Sequence, residues 1–185
     1  MKKIRIWTLI GLSFTAIAGT LLHFTYEWFG GRIWAVLGAV SESTWEHLKL
    51  LFWPMLFMTL AEYIFYGRKI AGFLVIRLIS ILTGMAAVVM IFYTYSGILG
   101  YNFLAADIAT FLAGAAAAYG AGYVLLRKSE DSGSLRIFGG DAAFVSVCGL
   151  AALIAIALLF VIFTYGPPHI ALFEDPVTGH YGLEK

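Results

Sequence analysis

Histidines and carboxylates are grouped in a few short stretches of this sequence. Three pairs of polar residues in these stretches have a spacing of four residues: His23 and Glu27, Glu42 and Glu46, and Ser43 and His47. On a helix, this spacing places two side chains on the same face. Imidazoles and carboxylates together are suitable ligands for zinc, iron or manganese. The pattern therefore predicts a site for a divalent metal ion.

The metal hypothesis assigns a role to five residues. His23, His47 and Asp107 are the expected ligands, and Glu46 or Glu27 is the expected general base. Asp107 is included because it lies in an apolar stretch without a basic residue near it in the sequence. If the site is catalytic, the chemistry is metal-assisted hydrolysis of a lipid or a small extracytoplasmic substrate.

Four further polar residues are candidates to contribute to this site. Glu42 and Ser43 lie immediately before His47, and His169 and Asp175 lie near the end of the chain. The segment that follows the last apolar run contains Pro167, Pro168 and Gly179, which are typical of turns, together with apolar residues. We expect it to pack over the end of the protein as an inert cap; the alternative is that it brings His169 or Asp175 to the site.

A structural interpretation explains some of the same residues. Ser43 and Glu46 have the spacing of a capping box, in which each side chain satisfies a backbone donor at the start of a helix. His23 and Glu27 also suit the headgroup region of a bilayer, where Arg32 or Lys49 can pair with the carboxylate. Both interpretations stay open on the sequence alone.

Composition identifies the elements that must position these groups. Of 185 residues, 61% are hydrophobic and 12% are charged, whereas a soluble domain has about 25% charged residues. This excludes a soluble enzyme, and a net charge of +1 gives no basic surface for nucleic acid. The lipid bilayer is therefore the expected environment.

The expected fold is an all-α integral membrane bundle in a single domain, residues 1–185. Five apolar runs are long enough to cross a hydrocarbon core of about 30 Å. They cover about 4–28, 44–66, 70–96, 101–126 and 142–165. The apolar stretch between the first two runs is too short to cross, so we expect an interfacial or re-entrant segment there, and an outer tail at 166–185.

Loop charge predicts the orientation of the bundle. Nine of the twelve basic residues fall on the side of the N-terminus, and basic residues favour the cytoplasmic side. We therefore expect the N-terminus inside and the C-terminus outside a bacterial cytoplasmic membrane, with all four histidines in the outer half. Residues 1–19 are similar to a signal peptide, but the apolar run continues to Trp28, which favours an uncleaved first span.

Three stretches resemble an uncharacterised family of small bacterial polytopic membrane proteins, a domain of unknown function. They are LHFTYEW at 22–28, SESTWEHLKLLFWP at 41–54 and PPHIALFEDPVTGHYG at 167–182. The resemblance extends over nearly the whole chain and implies no known activity. The family pattern before the second span resembles Pro-Val-Asn-Glu-Ser, whereas this chain has Ala-Val-Ser-Glu-Ser at 39–43, so an amide ligand is absent if the family uses one.

Three classes of function fit these observations. The first is a metal-binding membrane protein, with hydrolysis as its possible activity and a lipid or small extracytoplasmic molecule as ligand. The second is a small-solute or proton-coupled transporter, or an accessory membrane subunit, although five spans show no obvious inverted repeat. The third is a structural or interaction protein in which the outer acidic residues only cap helices.

Overall fold

The computed structural model describes residues 2–132 and 141–183, and it is helical. Its helices are α1 (Lys2–Phe29), α2 (Gly31–Leu37), α3 (Thr44–Phe65), α4 (Phe73–Leu99), α5 (Leu104–Ser132) and α6 (Ala142–Tyr165), with a 3₁₀ turn at Gly67–Lys69. All except α2 are long and apolar enough to cross a membrane. The predicted all-α bundle with five candidate spans is confirmed.

The core of the bundle is built around α3. Leu51, Phe52 and Met55 of this helix are fully enclosed, and they pack against Ile81 of α4 and Ala118 of α5. The outer surface of the bundle is also apolar: Ile17, Ile98 and Leu158 are each more than half exposed. Apolar surface of this extent is stable against lipid rather than water.

Helix α2 folds back along α3 instead of leaving the bundle. The carbonyl oxygen of Ala35 accepts a hydrogen bond from Lys49 Nζ at 2.8 Å, and that of Val36 accepts one from Trp53 Nε1 at 2.9 Å. Trp53 lies about 13 Å along α3 from its first residue, at ~1.5 Å per residue. The short segment expected between the first two spans is therefore a helix that packs back against α3.

A glycine allows the chain to return from α2 towards α3. A Cβ atom at Gly38 would lie 2.5 Å from Thr25 Oγ1 and 2.6 Å from the carbonyl oxygen of Leu22, both in α1. These distances are too short for any larger residue. The loop that follows α2 is thus pressed against the last turns of α1, next to His23.

The segment after α6 folds over the same end of the bundle. The Trp45 N–H donates to the Leu172 carbonyl at 2.9 Å, and the Leu183 N–H donates to the Thr164 carbonyl at 3.1 Å. The Phe173 ring packs 4.8 Å from that of Trp45. We call this end of the bundle, which contains His23, His47 and residues 166–183, the histidine end. The opposite end, which contains Lys3, Arg68 and Lys69, is the basic end.

Candidate metal site at the histidine end

Three side chains from separate parts of the chain meet at the histidine end. His47 Nε2 lies 3.5 Å from Glu42 Oε2, and His23 Nε2 lies 3.9 Å from Glu42 Oε1. The two imidazole rings are edge to face with centroids 5.1 Å apart. One ligand atom from each residue lies within 4.8 Å of the other two. Ligands of one zinc ion, each at about 2.0–2.2 Å from it, lie about 3.3 Å apart, so the three atoms would have to move closer together to share one ion.

The start of α3 sets the orientation of His47. Ser43 is the N-cap of α3 and its Oγ accepts a hydrogen bond from the Glu46 N–H at 3.3 Å. The Ser43 carbonyl lies 2.9 Å from His47 Nδ1. Since a carbonyl oxygen can only accept, Nδ1 donates this hydrogen bond, and Nε2 is the ring nitrogen that faces Glu42. A backbone partner of this kind is typical of histidines that bind metals.

The tail holds the loop that carries Glu42. Asp175 is buried, and its Oδ2 accepts a hydrogen bond from the Glu42 N–H at 3.3 Å. Its Oδ1 accepts from the Val177 N–H at 2.8 Å and from the Thr178 N–H at 3.3 Å. Asp175 is therefore a positioning residue, which acts on Glu42 through the backbone. His169, the other candidate in the tail, stacks on the Tyr181 ring at 4.5 Å and lies outside the three-residue group.

The structure does not include Asp107 in the group formed by His23, Glu42 and His47. Its carboxylate accepts hydrogen bonds from the Tyr95 hydroxyl and, at 3.0 Å, from Asn102 Nδ2. These partners belong to the end of α4 and the loop before α5, and they hold Asp107 locally. Among the described residues, the group able to hold a metal contains Glu42 and not Asp107. The four-residue spacing of Glu42 and Glu46 predicts that they share one helical face. Glu42 precedes Ser43, the N-cap of α3, so it lies outside the helix and this spacing does not place it.

Glu46 has a structural role in this geometry. It is buried, its carboxylate forms an ion pair with Lys49, and its Oε2 accepts a hydrogen bond from the Val40 N–H at 3.0 Å. Lys49 also donates to Thr164 Oγ1 at 3.1 Å. The expectation that Glu46 serves as a general base conflicts with this pairing. Only half of the expected capping box forms, because the Glu46 side chain is bound to Val40 and Lys49.

Glu27 stays a candidate for the base. It is exposed, it lies one helical turn beyond His23 on α1, and it does not belong to the three-residue group. The side chains of His23 and His47 are each 30% exposed and that of Glu42 is 49% exposed. The site is thus open on one side, where a further ligand or a substrate can approach.

The fold and the site define a polytopic membrane protein with a His/Glu group at one end of its helical bundle. The chain belongs to a family of unknown function, DUF6512, whose model matches residues 1–183. This confirms the expected resemblance to an uncharacterised family. Neither the curated proteins nor the solved structures contain a match to the chain.

Proposed function

We propose that this protein binds a divalent transition metal through His23, Glu42 and His47, in the outer half of a bacterial cytoplasmic membrane. The observation that carries the proposal is the approach of three ligand atoms to within 4.8 Å of one another. They come from α1, from the loop before α3 and from α3 itself. The positive-inside rule supports a cytoplasmic position for the basic end, and hence an outward-facing site.

The ligand set favours zinc, iron or manganese. Two histidines and one carboxylate leave coordination positions open, as in catalytic zinc sites and non-haem iron sites. A metal bound there supplies a Lewis acid that polarises a carbonyl or phosphoryl oxygen. The group lies near the ends of α1 and α3, which we expect at the level of the headgroups. We therefore infer hydrolysis of a lipid or a small extracytoplasmic substrate, with Glu27 as the base.

A transporter is the second candidate, and a buried ion pair at the basic end favours it. Glu62 and Arg77 pair there, and each is at most 1% exposed. Charged groups inside a bilayer often mark a transport path. However, Leu51, Phe52 and Met55 are fully enclosed between the two ends, and this apolar layer favours a binding site over a path. The proposal of a metal site is therefore preferred.

Metal content of the purified protein tests the proposal. Protein in detergent is loaded with zinc, cobalt or manganese, desalted and measured by mass spectrometry, and cobalt absorption reports the ligand geometry. We expect one ion per chain in the wild type, and loss of it in His23→Ala, His47→Ala and Glu42→Gln. His169→Ala and Glu174→Gln are matched controls from the tail and should keep the ion. Equal, substoichiometric metal in all variants would end the proposal.

The proposed hydrolytic activity requires a separate measurement. Metal-free protein is assayed against phospholipid and small ester substrates before and after metal is restored. Activity that returns with the metal and is lost in Glu27→Gln, while metal content stays constant, supports this role. Activity that Glu27→Gln retains would remove Glu27 from the reaction.

A further inference from the structure

A cavity opens at the basic end, far from the histidines. Its volume is about 340 Å³. The start of α1, the end of α3 with the following 3₁₀ turn, and the end of α5 each contribute to its wall. The principal lining residues are Lys3, Ile4, Phe65, Tyr66, Lys69 and Ser129.

The polar part of this wall suits an anion. Lys3 and Lys69 are exposed and contribute two ammonium groups, against one carboxylate from Glu130. Ser129 donates its hydroxyl proton to the Ala71 carbonyl at 3.0 Å, so the two lysines, and not this hydroxyl, supply the donors for an anion. The lining residues therefore carry a net positive charge.

Tyr66 closes the inner side of the cavity. Its hydroxyl donates to Glu62 Oε2 at 2.9 Å, and burial raises the pKa of Tyr66 above its usual range. The phenol therefore stays neutral and adds no negative charge to the wall. It separates the cavity from the buried pair of Glu62 and Arg77.

We propose that this cavity binds the phosphate of an anionic phospholipid headgroup. The remaining lining is apolar, with Ile4, Phe65 and Ile70, and Phe65 is 69% exposed on the outside of the bundle. An apolar wall next to two lysines matches the glycerol and phosphate of a lipid better than a free anion. The cavity also lies where the spans end, at the level of the headgroups, and basic pockets between helices at this level bind anionic headgroups.

Lipid binding at this position connects two parts of the bundle. A headgroup held by Lys3 and Lys69 joins the start of α1 to the 3₁₀ turn that follows α3. A ligand that binds only the folded state stabilises it. Delipidated protein should consequently gain thermal stability when an anionic phospholipid is added.

The test compares two pairs of variants that lose the same charge. In Lys3→Gln/Lys69→Gln both changes line the cavity, whereas in Lys2→Gln/Arg68→Gln the neighbouring residues change and the cavity lining stays intact. Native mass spectrometry and thermal unfolding are measured with phosphatidylglycerol, phosphatidylcholine or inorganic phosphate. We expect phosphatidylglycerol to bind the wild type and the control pair with similar affinity. Its affinity for the cavity pair should be lower by a factor of about ten or more.

Several outcomes would overturn the lipid site. If phosphatidylglycerol binding is weakened equally in both pairs of variants, general surface charge explains it. If phosphatidylcholine binds the wild type as well as phosphatidylglycerol does, the site has no preference for an anionic lipid. A stability increase with inorganic phosphate that phosphatidylglycerol does not give would identify a free anion as the ligand. The variant Lys3→Arg/Lys69→Arg keeps both positive charges and should bind phosphatidylglycerol as the wild type does. Metal content at the histidine end should not change in either pair, so this test is independent of the proposed metal site.

Discussion

The ion pair of Glu46 and Lys49 has almost no exposed surface: Lys49 is 0% and Glu46 is 1% exposed. The Lys49 ammonium also donates to the Ala35 carbonyl and to Thr164, and thus joins α2, α3 and α6. Removal of one member of a buried pair leaves a charge without compensation, whereas removal of both is much less costly. The pair therefore fixes the segments around the group of His23, Glu42 and His47.

A double-mutant cycle measures this contribution. We expect Lys49→Met to destabilise the protein by about 3–5 kcal/mol, because Glu46 stays buried without its compensating positive charge. The double variant Glu46→Gln/Lys49→Met should recover a large part of that loss. Chemical unfolding in detergent gives the free energies of unfolding, and additive effects of the two single changes would show that the pair is not coupled.

Asp175 permits a test of the site that leaves all three ligands in place. Asp175→Ala removes the acceptor that holds the Glu42 N–H, so the loop loses its support and metal affinity should fall about 10–100-fold. Competition with a chelator of known affinity measures this change. Glu174→Ala, at the exposed neighbouring residue, should leave the affinity unchanged. An equal loss in both variants would point to general damage to the tail.

At the scale of elements, small residues determine how α4 and α5 pack. A Cβ atom at Gly114 would lie 2.3 Å from Val88 Cγ2 and 3.1 Å from the Gly84 carbonyl oxygen. A Cβ atom at Gly84 would lie 2.8 Å from the Gly114 carbonyl oxygen. The two backbones approach each other because neither glycine has a side chain, which is a common form of packing in membranes.

Two substitutions on one helix separate packing from helix propensity. Gly114→Ala should destabilise the protein by about 1–3 kcal/mol, because the added methyl group overfills the contact with α4. Gly120→Ala meets no atom within 4 Å and should be neutral or stabilising by up to about 1 kcal/mol, since alanine favours a helix. Thermal unfolding of both variants in the same detergent tests this. Equal effects would show that the contact at Gly114 has room for a methyl group.

The elements and the meeting of His23 with His47 were predictable from the sequence, but the other contacts of the site were not. A bilayer requires long apolar helices, so hydropathy alone located all five spans, and the cap at Ser43 located the start of α3. The convergence of His23 with His47 followed from two consecutive spans joined by a short segment. The position of Glu42 depends on the loop at 38–43 and on Asp175 in the tail, 133 residues further along the chain. No periodic pattern specifies such a contact, and for the same reason no pattern predicts that Glu42, and not Asp107, joins the two histidines.

At the scale of the whole molecule, the two ends differ in charge. Lys3, Arg68, Lys69 and Arg127 lie at the basic end, whereas the histidine end contains the three-residue group and the folded tail. Positive charge in short loops opposes translocation across the membrane. This asymmetry predicts that the tail, and with it the metal site, faces away from the cytoplasm.

Cysteine labelling in intact cells tests this orientation. In a Cys148→Ala background, which removes the single cysteine, Val177→Cys places a thiol in the tail at a position that is 78% exposed. We expect a membrane-impermeant maleimide to label it in intact cells, and to label Arg68→Cys only after the membrane is permeabilised. Both variants should react fully in detergent, which controls for accessibility. The reverse pattern would place His23, Glu42 and His47 at the cytoplasmic face, and a substrate of the metal site would then have to come from the cytoplasm.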